Sequence, residues 1–305
     1  MNIIKIFKAL ADETRLRIFC LLLHHEFNVN EMVQAMDMGQ SRISRHLKIL
    51  SESGQISSRR DGSFVYYHGV INEDNKQLIG FIQQHIDVDA QVQKDLDRAE
   101  TIFLERKTQT ARFFSRVAEY WEQLKESIFG DLDINSLIAD KAGPADVLVD
   151  LGCGTGELIM ALHHKAEKVI GIDSSPQMLE RAASKLRSNG HNVELRLGEL
   201  EHLPMGDNAA DTAVVNMVLH HLSVPASGIR EAYRVLMPEG RFIIVDFDKH
   251  NQEWVLDKFG GPWMGFLPDD IEQWLKDAGF HLLEQETFQV KNRLGVNLFV
   301  AVKQE

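Results

Sequence analysis

Three glycines, Gly152, Gly154 and Gly156, stand between an apolar strand-like run and a helix-like segment in "VLVDLGCGTGELIM", residues 147–160. Glycine is needed in such a loop because the turn is tight and because the backbone must approach a ligand closely. A dinucleotide loop of the Gly-x-Gly-x-x-Gly type would place its last glycine where this sequence has Glu157. An acidic side chain there is a poor neighbour for a pyrophosphate. The loop therefore predicts a nucleoside ligand without phosphate groups.

Three acidic residues accompany this loop and the next two strand-like segments. Asp150 ends the first segment, Asp173 ends the second, and Glu199 follows the third in "LGELEHLP". Asp173 is placed to accept hydrogen bonds from both ribose hydroxyls, and Glu199 could accept one from an adenine amino group. An adenosine with a cationic amino-acid tail suits this set, because ammonium and sulfonium groups favour acidic surroundings. S-adenosylmethionine has this chemistry.

From about Ala142 to the C-terminus the sequence resembles the class I S-adenosylmethionine-dependent methyltransferases. The resemblance is carried by "VDLGCGTG", "GIDSS", "GELEHLPM", "NMVLHHL", "REAYRVLMPEGRFIIVD" and "LPDDIEQWLKDAGF". It implies S-adenosylmethionine or S-adenosylhomocysteine as the bound cofactor. We expect no metal. The residues that the resemblance and the loop chemistry place at this site are Asp150, Gly152, Cys153, Gly154, Gly156, Asp173, Ser174, Met178, Gly198, Glu199, Leu200, Asn216, Met217 and His221.

The sequence leaves open whether this site catalyses methyl transfer, since that reaction needs positioning more than an acid or a base. No catalytic residue is assigned. His220 and His221 could supply a base, or one could pack and the other cap a helix. "KFGGPWMGFLP" could be a lid over a small acceptor or a plug that fills the acceptor space. Two distant cysteines argue against arsenite methylation, and "NMVLHH" lacks the Pro-Pro-aromatic set of amino-directed nucleic-acid methyltransferases.

The N-terminal part has a different character. The chain carries a net charge of −12, but residues 1–70 hold 9 Lys and Arg against 7 Asp and Glu, so the acidic excess lies in the rest. In "SRISRHLKIL" Ile43, Leu47 and Leu50 recur at helical spacing, which predicts a helix with a polar outer face. "NVNEM" has the Asn-x-x-Glu spacing of a capping box. "ISSRRDGSFVYYHGV" predicts a hairpin with an Asp-Gly turn.

Residues 3–72 resemble the ArsR/SmtB family of winged-helix repressors, most closely at "SRISRHLKIL" and "RRDGSFVYY". The resemblance implies a homodimer that places two recognition helices in successive major grooves of palindromic double-stranded DNA. The residues it implies for DNA contact are Gln40, Ser41, Arg42, Ser44, Arg45, His46, Lys48, Arg59 and Arg60. Asn28 and Asn30 stand where metal-sensing members carry thiolates, and neutral amides are poor ligands for soft metals. We therefore expect no metal sensing at this position.

These segments predict a multidomain α+β and α/β chain. A winged helix-turn-helix domain is expected over 1–72, a helical dimerisation or linker region over 73–140, and an S-adenosyl-binding domain over 141–305. The last should be a Rossmann-like class I methyltransferase fold, with a mostly parallel seven-stranded sheet and one antiparallel strand. No apolar run is long enough to span a membrane. Two cysteines far apart and no export signal fit the cytoplasm.

The whole chain resembles fused ArsR-type proteins with a methyltransferase-like domain. Some of that group are repressors of methionine-cycle genes that respond to S-adenosylhomocysteine. The resemblance thus implies a transcriptional regulator with an S-adenosyl effector. Two alternatives stay open: an active small-molecule methyltransferase whose winged helix serves dimerisation or autoregulation, and a DNA-directed methyltransferase. The acidic C-terminal part and its fourth-strand segment disfavour the last.

Overall fold

The computed structural model describes residues 3–61, 64–72, 75–86, 89–130, 132–187 and 193–304. They form two units, Met1–Lys107 and Thr108–Glu305. No helix in these ranges is both long and apolar enough to cross a lipid bilayer.

The first unit is a helix-turn-helix followed by a hairpin. Its elements are α1 Ile3–Leu10, α2 Glu13–His24, β1 Phe27–Asn28, α3 Val29–Met36, α4 Gln40–Glu52, β2 Ile56–Asp61, β3 Phe64–Gly69 and α5 Lys76–Ile86. In α4 the side chains of Ile43, Leu47 and Leu50 are buried in the core of this unit, as their spacing predicts.

The turn before α3 confirms the predicted capping box. The Asn28 side-chain oxygen accepts from the Glu31 amide at 3.1 Å, and a Glu31 carboxylate oxygen accepts from the Asn28 amide at 2.9 Å. Asn28 therefore satisfies backbone donors that a helix N-terminus otherwise leaves unpaired.

The hairpin pairs β2 with β3 in antiparallel register, with Arg59 opposite Tyr66. Its predicted Asp-Gly turn includes Gly62, which lies outside the described residues. A contact that the sequence did not predict adds β1 to the same sheet beside β3. Two residues are too few to give a strand periodicity, so this pairing has no signal in the sequence.

Helix α6, Ala90–Val117, begins in the first unit and ends in the second. A buried ion pair joins it to α2, with Arg17 Nε 2.6 Å from a carboxylate oxygen of the fully buried Asp95. The domain boundaries expected after residues 72 and 140 stay predictions.

The second unit alternates strands and helices. Its elements are α7 Trp121–Phe129, α8 Ile134–Ala142, β4 Ala145–Leu151, α9 Glu157–Leu162, β5 Ala166–Asp173, α10 Pro176–Arg187, β6 Val193–Leu197, β7 Ala210–Asn216, α11 Pro225–Val235, β8 Leu236–Phe247, α12 Glu253–Phe259, α13 Pro268–Ala278, β9 Phe280–Gln289 and β10 Gly295–Lys303.

These strands form a seven-stranded sheet in the order β6-β5-β4-β7-β8-β10-β9. Neighbours from β6 to β8 run parallel, and β10 runs antiparallel to both β8 and β9. This confirms the predicted sheet with one antiparallel strand. Because the strands on either side of β4 are parallel to it, their carboxyl ends lie at one edge, where an open α/β sheet binds ligands.

Candidate functional site

The glycine loop after β4 is held in a conformation that glycine adopts easily. Gly152, Gly154 and Gly156 have φ angles of +82°, +52° and +80°, which disfavour side chains with a Cβ. A Cβ at Gly152 would lie 2.5 Å from Val218, and one at Gly156 would lie 3.2 Å from Ala182. At Gly154 the atom nearest to the corresponding position among the described residues is Trp121 Nε1, at 3.8 Å. Gly152 and Gly156 therefore allow close packing, whereas Gly154 leaves its face of the loop open.

Two oxygen atoms at the ends of adjacent strands have no hydrogen-bond partner among the described residues. They are Oδ2 of Asp150, at the end of β4, and Oδ1 of Asn216, at the end of β7. Burial raises the pKa of Asp150 to about 7; nearby Lys125 acts against this rise and Asp173 adds to it. A buried acceptor without a donor is costly. Both atoms therefore fit the ammonium group of an S-adenosyl ligand.

Asp173, at the end of β5, is tied to the loop. Its Oδ2 accepts from the Gly154 amide at 2.8 Å and its Oδ1 accepts from the Ser175 amide at 2.8 Å. Burial raises the pKa of this carboxyl, while these amide donors oppose the rise. Each carboxylate oxygen retains a lone pair, so the group can still accept from ribose hydroxyls.

The other residues predicted for this site lie at the same edge of the sheet. Ser174 is exposed after β5, Met178 is buried in α10, and Met217 is buried after β7 with a φ of +60°. Gly198, Glu199 and Leu200 follow β6, where the Gly198 amide donates to the Asp173 carbonyl at 3.0 Å. Cys153 is buried, which raises its thiol pKa well above the ordinary value, so it packs as an apolar group.

Helix α7 covers the loop through contacts that the sequence did not assign to individual residues. Trp121 lies beside Gly154, and Glu122 accepts from the Thr155 hydroxyl at 3.1 Å. Lys125 Nζ lies 2.7 Å from a carboxylate oxygen of Glu157. Glu122 also pairs with Lys185 of α10, and Glu119 with Arg181 at 3.4 Å. The only signal for this cover was the amphipathic aromatic pattern of "ARFFSRVAEYWEQLKESIF".

A histidine pair follows β7. His220 Nδ1 lies 2.6 Å from Asp246 Oδ1, and both side chains are buried. Neither ring nitrogen of His221 has a partner among the described residues; its ring meets Phe114 edge-on at 4.6 Å. Burial and the neighbouring His220 lower the pKa of His221 well below its ordinary range, so this ring is neutral.

The segment "KFGGPWMGFLP" packs against this pair. A Cβ at Gly261 would lie 2.6 Å from the His220 carbonyl, so the glycine permits close approach. Trp263 and Phe266 are almost wholly buried, and the Trp263 indole donates to the Leu222 carbonyl at 2.6 Å. The packing fits the plug alternative better than an open lid.

In the first unit most residues predicted for DNA contact share the exposed face of α4. Exposed side chains on α4 are those of Gln40, Ser41, Arg42, Ser44, Arg45 and Lys48. His46 differs: it is 4% exposed, because position 46 falls between Ile43 and Leu50 on the core face. Arg59 is mostly buried and pairs with Glu26 at 3.2 Å. The side chain of Arg60 lies outside the described part of the chain.

Comparisons with known proteins agree with both units. Residues 12–58 match the family "Bacterial regulatory protein, arsR family", and residues 149–244 match the family "Methyltransferase domain". A 2-phytyl-1,4-naphtoquinone methyltransferase from Nostoc is 30% identical over 165 residues, 49% of this chain and 72% of that protein. The uncharacterized methyltransferase YcgJ of Bacillus subtilis is 32% identical over 148 residues, 48% of this chain and 58% of that protein.

Further relatives are named as demethylmenaquinone and arsenite methyltransferases. Among eight of the relatives it matches, the chain spans less than two thirds of the length of seven. The crystal structure of the [4+2]-cyclase SpnF has a TM-score of 0.55 and 20% identity, covering 64% of this chain and 95% of that one. This last likeness concerns the fold.

The sheet order, the glycine loop and the acids at the strand ends define the second unit as a class I S-adenosylmethionine-dependent methyltransferase fold. The chain belongs to this methyltransferase family, and it carries an ArsR-family helix-turn-helix domain ahead of the methyltransferase domain.

Proposed function

We propose that the chain is a DNA-binding transcriptional repressor whose methyltransferase domain binds S-adenosylhomocysteine or S-adenosylmethionine as an effector. The proposal places it in the cytoplasm, as a homodimer on a palindromic operator that controls methionine-cycle genes. The gene class comes from the resemblance of the whole sequence to fused repressors of that kind.

The observation that carries the proposal is the course of α6. This helix begins in the winged-helix unit and ends at Val117, and Phe113 and Phe114 near its C-terminal end contact the methyltransferase site. Phe114 meets His221, and the ring of Phe113 lies against Gly260. Helix α7, which covers the glycine loop, begins four residues after α6 ends. A ligand that displaces α7 therefore acts on a segment continuous with the DNA-binding unit.

Contacts in the first unit extend this connection toward the hairpin. His25 stacks on Phe103 of α6 with ring centroids 3.9 Å apart, and its Nε2 lies 2.9 Å from Glu100. The next residue, Glu26, pairs with Arg59 of β2 and lies 3.5 Å from His68 of β3. A shift of α6 would thus reach the strands expected to contact the DNA backbone.

An exposed apolar face supports the homodimer. On α1 the side chains of Ile3, Ile4 and Phe7, which lie within little more than one helical turn, are more than half exposed. Clustered apolar exposure of this kind marks association surfaces, whereas scattered exposed residues need no explanation.

The change in DNA affinity that a ligand causes is set by the difference between its affinities for the DNA-bound and the DNA-free state, because a ligand that binds both states equally shifts no equilibrium. Moving a repressor from almost fully bound to almost fully free takes on the order of 5 kcal/mol. Glu122 and Lys125 of α7 contact Thr155 and Glu157 at the loop, and an S-adenosyl ligand would strengthen or break these contacts.

An operator titration tests the proposal. Duplex DNA selected from a random pool by the full chain is titrated by fluorescence anisotropy, alone and with each S-adenosyl compound. We expect at least one ligand to change the dissociation constant tenfold or more. Arg45→Ala should lose DNA affinity and keep ligand affinity, and Asp173→Asn should do the reverse. The proposal is wrong if neither ligand changes DNA binding at saturating concentration.

A second candidate function is methyl transfer to a small molecule, and the His220–Asp246 pair is the observation that favours it. An imidazole that donates a hydrogen bond from Nδ1 to a carboxylate keeps Nε2 available to take a proton from the molecule that accepts the methyl group. The names of the quinone methyltransferase relatives suggest hydroquinones as acceptor probes. This function is supported if a labelled methyl group passes from S-adenosylmethionine to such a probe, and if the transfer is lost in His220→Ala and slowed in Asp246→Asn. Tight ligand binding without turnover would count against it.

A further inference from the structure

One cation of α7 faces the acidic groups of the methyltransferase site. Lys125 lies one helical turn after Trp121, on the face that covers the loop. Its side chain is 16% exposed, and its Nζ lies 2.7 Å from Glu157, the first residue after Gly156. It is also the nearby cation that opposes the raised pKa of Asp150. Lys125 is therefore directed at the glycine loop rather than at solvent.

The amino-acid end of an S-adenosyl compound needs two kinds of partner. Its ammonium group needs acceptors, and Asp150 and Asn216 provide acceptor atoms that have no donor among the described residues. Its carboxylate needs a donor or a cation. The acids around the loop, including Glu157, would repel it unless a positive charge stands between them. Lys185 of α10, which also lies near the loop, is paired with Glu122.

We propose that Lys125 binds the carboxylate of the amino-acid tail of the S-adenosyl ligand while it remains paired with Glu157. The inference rests on the proposed function, since it takes the ligand to be an S-adenosyl compound. An ammonium on Nζ carries three donors, enough for both carboxylates. A ligand held in this way is joined to α7 by its tail. An adenosine thioether that lacks the tail binds without engaging α7.

Isothermal titration calorimetry on the full chain separates the tail from the nucleoside. The probes are S-adenosylhomocysteine, its decarboxylated analogue S-adenosyl-3-thiopropylamine, and 5′-methylthioadenosine, which lacks the whole amino-acid end. A charge-assisted hydrogen bond contributes enough for Lys125→Met to weaken S-adenosylhomocysteine by about tenfold to a hundredfold. The two analogues without a carboxylate should change less than about threefold, because their affinity does not depend on this contact.

A double variant distinguishes direct binding from neutralisation of Glu157. If Lys125 only neutralises Glu157, removing both charges in Lys125→Met/Glu157→Gln restores the affinity for S-adenosylhomocysteine. If Lys125 binds the tail, the double variant stays weak. Lys185→Met is the matched control: it removes another ion pair of α7, so it should affect all three probes by a similar factor. Thermal melting of each variant confirms that it is folded.

The outcomes are separable. The inference is supported if Lys125→Met loses affinity for S-adenosylhomocysteine alone among the three probes, and if the double variant binds it just as weakly. An equal loss for all three probes, or full recovery in the double variant, overturns it and leaves the proposed function intact. Failure of the unaltered chain to bind any of the probes would overturn the proposed effector as well.

Discussion

Replacing Asp150 with asparagine should change two properties of the protein in opposite directions. The carboxyl is 1% exposed, and burial raises its pKa from 3.8 to about 7. Because the folded state binds this proton more tightly than the unfolded state, the fold loses stability as pH rises through this interval. The rise of this pKa from 3.8 to about 7 lowers the free energy of unfolding by about 4 kcal/mol once the pH exceeds 7. Asp150→Asn removes the ionisation and should stabilise the ligand-free protein by up to that amount at pH 8.

The same ionisation should govern ligand binding, because an ammonium group binds the carboxylate and not the neutral acid. With a pKa of about 7, most Asp150 is ionised at pH 8 and about a tenth at pH 6. The dissociation constant for S-adenosylhomocysteine should therefore rise about tenfold from pH 8 to pH 6, or about 1.4 kcal/mol. Asp150→Asn should bind more weakly at pH 8 and show no such slope.

Calorimetry and thermal melting measure both effects. Titrations at pH 6 in buffers of different ionisation enthalpy should show release of nearly one proton on binding to the unaltered protein and none for Asp150→Asn. The melting temperature of the ligand-free variant should exceed that of the unaltered chain at pH 8, with a smaller difference at pH 5. A dissociation constant that does not change between pH 6 and pH 8, or the same slope in the variant, would refute the role given to Asp150.

Three further predictions concern coupling, the loop and the histidine pair. Glu105→Pro in α6 should reduce the effect of ligand on operator affinity in the anisotropy assay while Glu105→Ala keeps it, since proline interrupts a helix; equal coupling in both would exclude α6 as the connection. Gly154→Ala should lower the free energy of unfolding by only about 1 kcal/mol in denaturant, but it should strongly weaken the affinity for S-adenosylhomocysteine measured by calorimetry. Gly152→Ala should mainly destabilise the fold, because its Cβ clashes with Val218. The opposite order of effects would contradict the open face at Gly154. Asp246→Asn should lower the free energy of unfolding by about 2–3 kcal/mol, because the carboxylate accepts from His220 and two backbone amides; an unchanged denaturation midpoint would contradict this.

Local pattern was enough to predict much of this protein. The core face of α4 follows from helical spacing, and the capping box before α3 follows from Asn28 and Glu31 three residues apart. The edge at which Asp150 and Asp173 lie follows from two parallel strands that end in acids. In each case the residues involved are close in sequence or repeat at a period set by the backbone, so their neighbours are fixed before the chain folds.

The sequence pattern did not predict contacts between residues that lie far apart along the chain. His46 is a separate case: the ArsR/SmtB resemblance implied it for DNA contact, but it lies on the core face of α4, three residues after Ile43 and four before Leu50, as helical spacing requires. The partner of Arg59 is Glu26, 33 residues away, and the partner of His220 is Asp246, 26 residues away. No periodicity links such pairs.

The sequence alone determined which ligand chemistry the glycine loop suits, since Gly154, the strand-end acids and the absence of a phosphate loop are local features. Only the tertiary structure decided what covers that loop. It placed Lys125 against Glu157, 32 residues further along the chain, and left acceptor atoms of Asp150 and Asn216 with no donor in the part of the chain that the structure describes. Packing of α7 on the loop brings these charges together, and packing depends on side chains meeting across the fold rather than on their order along it.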